Sequence, residues 1–439
     1  MKTAAATAPG AGPAAAGRRR AVLLRRICIG IMLLATLEFV VATTGVQILN
    51  LPRSTDFATY YLAGAQALDG LSPYDTAAIA ERGYAMGFEH EQFPFLYPPA
   101  FALAMQPLSR FSYPRARQIW MLVATWALLA ALVCTVQLLR HQAKLLGLQE
   151  PTRTWIVLAA FFPAALNSTS VHNDIRAGSV GILLYLALLL VAAGLVVRSR
   201  WLTGTALALA TLLKLTPVLL ILYAAWRRNR AGAGIAIALL MCTVVGAWLH
   251  WGWQIMPEYA RALLDAVGRE YPRPMNQSLD AALSRLLLPS AQVAAPFDLP
   301  RIKQVLAFLL TGVIVAATLY SLRPRRRHPG LLPVELGYVV LALLLIMKIT
   351  WLHTLTAMLF VWPFLMLPIL RAAERGARWA LPAGLWACFG FLLSSAHIPV
   401  LWQGLRAGAA SLFISVHVVG LLILWFVART VLQREEDIC

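Results

Sequence analysis

Acidic residues are what this chain is short of. Of its 439 residues only 19 are Asp or Glu, against 38 Lys or Arg, and charge of either sign makes up 13%. Soluble domains carry about 25% charged and about 45–50% apolar residues. Here 60% of residues are hydrophobic, so an ordinary soluble globule is excluded. Long polar intervals are scarce too. Only 50–115 and 252–301 have any length, which leaves no room for a separate soluble domain. No Cys-x-x-C pair occurs among Cys28, Cys134, Cys242, Cys388 and Cys439. That argues against a zinc site or a disulfide framework, and cysteine inside an apolar run behaves as a small buried hydrophobe. No internal repeat is visible, which weakens an inverted-repeat transporter reading.

What the chain does have is apolar runs near the spanning length of about 20 residues, all along its length. Its net charge of +19 would point to nucleic acid in a soluble protein. Here the basic residues sit in short clusters between apolar runs, the positive-inside pattern of cytoplasmic loops. Residues 1–26 read as a disordered, basic cytoplasmic tail. The run after them lacks a small-x-small cleavage site and reads as an uncleaved first span. A single multipass domain follows over 27–434.

Sidedness can be followed from cluster to cluster. Spans are expected at 27–49, 116–138, 154–171, 178–197, 232–251, 302–322, 331–349, 354–370, 378–396 and 408–430, with "VHNDIR" (171–176) a short outer turn. The run 202–225 conflicts with this. Were it to cross, "WRRNR" and every later basic loop would lie outside, against the charge rule. Its centre, "LLKLTPVLL", holds Pro217. Proline removes a backbone donor and clashes with the preceding turn, and broken helices are tolerated at membrane depth where protein buries them. We therefore expect a re-entrant pair of half-helices. About ten full spans plus this pair give an all-α integral membrane fold. Both termini are then cytoplasmic, and 50–115 and 252–301 roof a cavity on the outer face.

The stretch "STDFATYYLAGAQALDG" in the first outer loop reads as a short helix capped by the Ser54-Thr55-Asp56 cluster and closed at Gly70. Phe57, Tyr61, Ala65 and Leu68 form its apolar stripe, as in an interfacial helix. "FPFLYPPAFALAMQPL" (93–108) is too short and proline-broken to span. It dips back or packs over the spans. Asn276, Gln277 and Ser278 precede another helical pattern in the second loop.

Taken in order, "DFATYYLAGAQALDGLSPYD", "FLYPPAFALAMQPLSRF", "ALALATLLKLTPVLL", "NQSLDAALSRLL" and "KITWLHT" resemble glycosyltransferase family 87. These are multipass enzymes of the C-type superfamily, so the resemblance implies a GT-C-like bundle. It covers about residues 50 to 370. The chain departs from the family at "RAGSVG", where Ser179 and Gly181 replace a Gly-Gln-x-Asn element, and at Met347-Lys348, where Ser-Pro is usual. The resemblance implies a polyprenyl-phosphate sugar donor, mannose favoured over a pentofuranose. The acceptor would be a lipid-linked or envelope glycan, and transfer would be by inverting single displacement at the outer face of a bacterial inner membrane.

The resemblance also implies that Asp56 is the catalytic base. Physical chemistry agrees in part, because a helix N-terminus keeps a carboxylate ionised and transfer needs a base at the acceptor hydroxyl. The plainer reading of Asp56 is a helix cap, and both can hold together. A leaving phosphate needs a fixed cation. Lys214, inside a membrane run, is one candidate; Lys348, His353 and Arg176 are others. Tyr60, Tyr61, Tyr97, Asn276, Gln277 and Trp351 are candidates for the sugar and acceptor, although interfacial aromatic belts account for tyrosines equally well. His172, Asn173 and Asp174 are adjacent and ill placed to converge on one metal, so no cofactor is assigned and a divalent metal, though not indicated, is left open. Two rival readings remain at this stage. A transporter or lipid flippase would string polar residues along facing spans, and a ligase or polymerase would use a diphosphate-linked donor.

Overall fold

The computed structural model describes residues 13–50, 55–88, 94–148, 151–227, 229–290, 293–323, 327–397 and 413–439. Among these residues the protein is built from helices, with one isolated β-bridge between Asn276 and Trp351. Seven helices are long and apolar enough to cross a membrane, and eight if one bent pair counts as a span. It is an all-α integral membrane protein.

The first span comprises α1 (Pro13–Glu38), a π-helical stretch (Phe39–Gly45) and α2 (Val46–Asn50). Residues 13–26, part of the tail the composition predicts, are described as helix, and residues 1–12 lie outside the described residues. The first roof loop holds α3 (Thr55–Leu68), α4 (Thr76–Ala85) and α5 (Pro99–Ser109). The chain returns through α6 (Tyr113–Leu145). Next come α7 (Pro151–Leu166) and α8 (Thr169–Ala177), bent by 46°. The expected turn at 171–176 is therefore a helix. Ser168 Oγ caps it by accepting from the Val171 N–H at 3.4 Å, and Gly178 closes it in the left-handed conformation, which glycine adopts without strain.

α9 (Gly181–Val196) leads to the broken element, α10 (Arg200–Leu213) and α11 (Val218–Trp226). Lys214 is extended at the break, with φ −160° and ψ 133°. Asn229 Nδ2, just past α11, donates to Thr203 Oγ1 near the start of α10 at 3.0 Å. The two half-helices therefore enter and leave at the same end, as the basic clusters require. At about 1.5 Å per residue, the 14-residue α10 carries the break about 21 Å from that end.

α12 (Arg230–Trp251) crosses to the second roof loop, with α13 (Ile255–Gly268) and α14 (Leu279–Leu287). α15 (Pro300–Ser321) and α16 (Leu332–Ile346) follow. A nine-residue 3₁₀ helix, Leu352–Phe360, then runs into α17 (Val361–Glu374). Runs of 3₁₀ beyond 3–4 residues are uncommon and often mark functional places. α18 (Ala380–Ser395), α19 (Val416–Gln433) and α20 (Glu435–Ile438) complete the chain. The expected outer segment after 397 and the start of the last span fall outside the described residues.

Two apolar cores form. One fills the bundle between α6, α9, α16, α17 and α19. The other lies under the roof, where Phe57, Tyr60, Leu62, Phe95, Phe101 and Trp120 pack together. α3 is buried on both faces: Phe57, Leu62 and Ala63 are all 0% exposed. It is not the half-exposed interfacial helix its stripe predicts, because α5 covers its second face. A Cβ on Gly64 would stand 2.4 Å from Ser109 Oγ and 2.9 Å from Met105, so only glycine permits this approach.

The basic clusters converge on one end of the bundle. Arg227 and Arg327 both pair with buried Glu335, Arg327 with Glu435 at 3.0 Å, and Arg153 with Glu374 at 2.6 Å. The roof is at the other end, where His250 and Trp251 of α12 reach the carbonyls of Ala67 and Leu71 at 2.8 and 2.9 Å.

Candidate active site

Asp56 opens α3 at the roof end, and its carboxylate Oδ2 lies 3.3 Å from His353 Nε2, with side chains 16% and 13% exposed. His353 sits on the 3₁₀ helix. The next residue, Thr354, accepts at Oγ1 from Lys214 Nζ at 2.7 Å. Lys214 comes from the break of the re-entrant pair, so it reaches this group from the basic end while Asp56 descends from the roof. Three elements that enter independently thus place a carboxylate, an imidazole and an ammonium together.

A second acid belongs to the group. Asp174, on α8, is 1% exposed and accepts at Oδ1 from the Gly181 N–H at 3.1 Å. A Cβ on Gly181 would stand 2.6 Å from both Asp174 Oδ2 and the His353 carbonyl. Glycine is what lets α8, α9 and the 3₁₀ helix meet there. Lys214 feels the charge of both Asp56 and Asp174, and His353 feels Asp56 and Lys214. Asp174, Thr354 and Gly181 join the cluster without a motif in the sequence to mark them. The one available signal was an acid between apolar runs in a chain poor in acids.

The tyrosines divide. Tyr60 and Tyr97 hydroxyls are 2.6 Å apart beside this group. Burial first, then Tyr97 and Asp56, hold the Tyr60 phenol well above its ordinary range, and burial with Asp56 does the same for Tyr97. Both remain neutral and can donate hydrogen bonds at neutral pH. Tyr61 points elsewhere: its hydroxyl donates to the Phe111 carbonyl at 2.8 Å and its ring packs on Phe57 and Tyr113.

The remaining sequence candidates meet other partners among the described residues. Asn276 is fully buried and clips the roof loop to the 348–351 segment. Its Nδ2 donates to the Tyr271 and Lys348 carbonyls at 3.1 and 3.2 Å, and its Oδ1 accepts from the Thr350 N–H at 2.8 Å. Gln277 Nε2 donates to the Pro274 and Ile414 carbonyls at 2.7 and 2.9 Å. Trp351 bridges to Asn276 and stands edge-on to Tyr271 at 6.1 Å. Lys348 Nζ is taken up by Glu270 at 2.8 Å and Asp280 at 2.9 Å, in a network with buried Lys303. Arg176 is exposed on the last turn of α8. His172, Asn173 and Asp174 reach three different partners, the Ser168 carbonyl, the Thr169 carbonyl and Gly181.

Residues 95–347, more than half of the chain, match the pattern of glycosyltransferase family 87. The chain belongs to this family. It is accordingly a membrane glycosyltransferase. The family match covers Tyr97, Asp174 and Lys214 but not Asp56 or His353, so those two rest on the geometry described above. Among characterised relatives, a polyprenol-phosphate-mannose-dependent alpha-(1-2)-phosphatidylinositol pentamannoside mannosyltransferase of Mycolicibacterium smegmatis is 28% identical over 361 residues, 78% of this chain and 77% of its own length. A polyprenol-phosphate-mannose-dependent alpha-(1-2)-phosphatidylinositol mannoside mannosyltransferase of Mycobacterium tuberculosis is 25% identical over 319 residues, 69% of this chain and 67% of its own length. No solved structure matches.

Proposed function

We propose that this family 87 enzyme moves a sugar, mannose in preference to a pentofuranose, from a polyprenyl-phosphate donor to a lipid-linked or envelope glycan, with a phosphatidylinositol mannoside as the acceptor class. The names of the relatives support the donor and acceptor. The observation that carries the mechanism is the meeting of Asp56, His353 and Lys214 at the end opposite the basic clusters. The positive-inside pattern supports a reading in which that end lies outside the cytoplasm and both termini lie inside, the membrane being a bacterial inner one.

The acceptor hydroxyl oxygen attacks the anomeric carbon and its bond to the donor phosphate breaks in one displacement, which inverts the configuration. Asp56 takes the hydroxyl proton; a base must stand within about 3 Å of it. His353 orients Asp56 through the 3.3 Å contact. The polyprenyl phosphate leaves with the electron pair. Lys214, held by Thr354, meets the charge growing on it, as a preorganised cation in a water-poor site does. Tyr60 and Tyr97, neutral donors beside Asp56, are placed to bond the sugar or acceptor. Lys348 and Arg176 are left out of this scheme.

Proteoliposomes given labelled polyprenyl-phosphate mannose and a phosphatidylinositol mannoside test it. Labelled acceptor with inverted anomeric configuration is expected. Flipping without transfer, retention of configuration, or transfer only from a diphosphate-linked oligosaccharide would overturn it.

A further inference from the structure

At the basic end, far along the chain's fold from Asp56, a cleft of about 350 Å³ opens between α1, α6 and the start of α7. Arg25, Arg140 and Lys144 line it, with Thr152, Thr154 and Trp155. A smaller hollow of about 220 Å³ adjoins it and shares Arg140 and Lys144. Trp155 is 8% exposed and forms the floor under two cations. The Arg25 guanidinium lies 5.1 Å from its ring centroid and that of Arg140 lies 5.8 Å away. Arg140 and Lys144 are one helical turn apart and share a face of α6.

The charge balance here differs from the rest of this end. Arg153, Arg227, Arg327 and Arg371 each meet a carboxylate. Among the described residues, no carboxylate lines the cleft and none pairs with Arg25, Arg140 or Lys144. Three like charges are therefore gathered around one void, with no described residue of opposite sign beside them. Val22 of α1 lines the void and is 52% exposed, and Leu23, Ile27 and Leu34, at helical spacing on one face of α1, are 59%, 49% and 69% exposed and continue the apolar surface past Arg25.

We propose that this cleft binds the phosphate headgroup of an anionic phospholipid, whose acyl chains lie along the exposed strip of α1. Arginine forks match phosphate oxygens and stack on aromatic faces, which is how Arg25 and Arg140 are held here. Basic pockets between membrane helices suit anionic headgroups, each cation near the surface contributing favourably. Occupancy would offset part of the three charges and tie α1 to α6 and α7. The proposal does not depend on the reaction assigned to the opposite end.

Native mass spectrometry on the full chain tests it, with phosphatidylglycerol or phosphatidylcholine added to the purified protein. One phosphatidylglycerol per chain is expected to be retained in preference to phosphatidylcholine. The triple variant Arg25→Gln, Arg140→Gln, Lys144→Gln should weaken that retention by about 100-fold. Lys144→Gln alone, at an exposed side chain that leaves the fold untouched, should weaken it by about fivefold. Arg18→Gln, an exposed change on α1 outside the cleft, should leave it unchanged. Equal retention in the lysine variant and the parent chain would overturn the proposal. So would equal loss in Arg18→Gln, which marks diffuse surface charge. Displacement of the lipid by millimolar inorganic phosphate would also overturn it, since the site would then be one for a free anion.

Discussion

Two clusters near the roof use the same ingredients to opposite ends. Each has lysine and two carboxylates. In the Glu270 cluster, Lys303 and Lys348 are matched to both acids at 2.6–2.9 Å. In the Asp56 cluster, Lys214 donates to a threonine hydroxyl at 2.7 Å while Asp56 and Asp174 act on it from farther off. A matched pair spends its charge on structure. On the proposed mechanism, a lysine held by a neutral hydroxyl keeps its charge for an incoming anion. The composition of a cluster therefore says less about its role than the partner each charge has been given.

Breaking each cluster should separate these roles. The largest effect is expected from Lys214→Met, which should lower turnover by about 10²–10³-fold, the usual loss for one preorganised charge-stabilising donor. The melting temperature should stay near that of the parent chain. Lys303→Met should do the reverse. It strips a 3% exposed cation from two acids that are 42% and 17% exposed and keep Lys348, so it should destabilise by about 1–2 kcal/mol, less than breaking a fully buried pair, while the folded fraction keeps its turnover. Asn276→Ala should cost about 1–3 kcal/mol through the N–H and carbonyl groups it leaves unmet. Thermal unfolding followed beside transfer assays reads all three.

The smallest expected effect is on pH dependence. Burial pushes the Glu270 carboxyl up, but hydrogen bonds from Lys348, Lys303 and Ser284 outweigh it and hold it below the ordinary 4.5. Burial works against the Lys348 ammonium too, yet Glu270 and Asp280 raise it above 10.5. A lowered acid contributes stability that is present above its unfolded value and lost as pH falls through the folded one. A raised lysine contributes below its unfolded value and loses that as pH rises through the folded one. The cluster should hold between about 4.5 and 10.5 and loosen on either side. In Glu270→Gln the fall in melting temperature on the acid side should flatten.

Much of this was legible in the chain. Pro217 and the parity of basic loops gave the re-entrant pair before any contact was known, because charge sidedness is a global constraint. Asp56 at the head of a short helix was legible because caps and their glycine stops are local. What stayed hidden depended on distant partners. Nothing in "KITWLHT" shows that Glu270 and Asp280 will meet Lys348. Nothing in "NQSLD" shows that the amides of Asn276 and Gln277 will serve backbone carbonyls. "VHNDIR" looked like a turn because its polar residues mask a helix that Ser168 caps, and Asp174 gains its place only through the close approach at Gly181.

The central claim is that Asp56 accepts the acceptor's proton. Single-turnover transfer from polyprenyl-phosphate mannose by purified Asp56→Asn protein tests it most directly. The account predicts a rate about 10²–10⁴-fold below that of the parent chain, with unchanged melting and donor binding. Transfer at a near-parental rate would contradict it and leave Asp56 a helix cap alone.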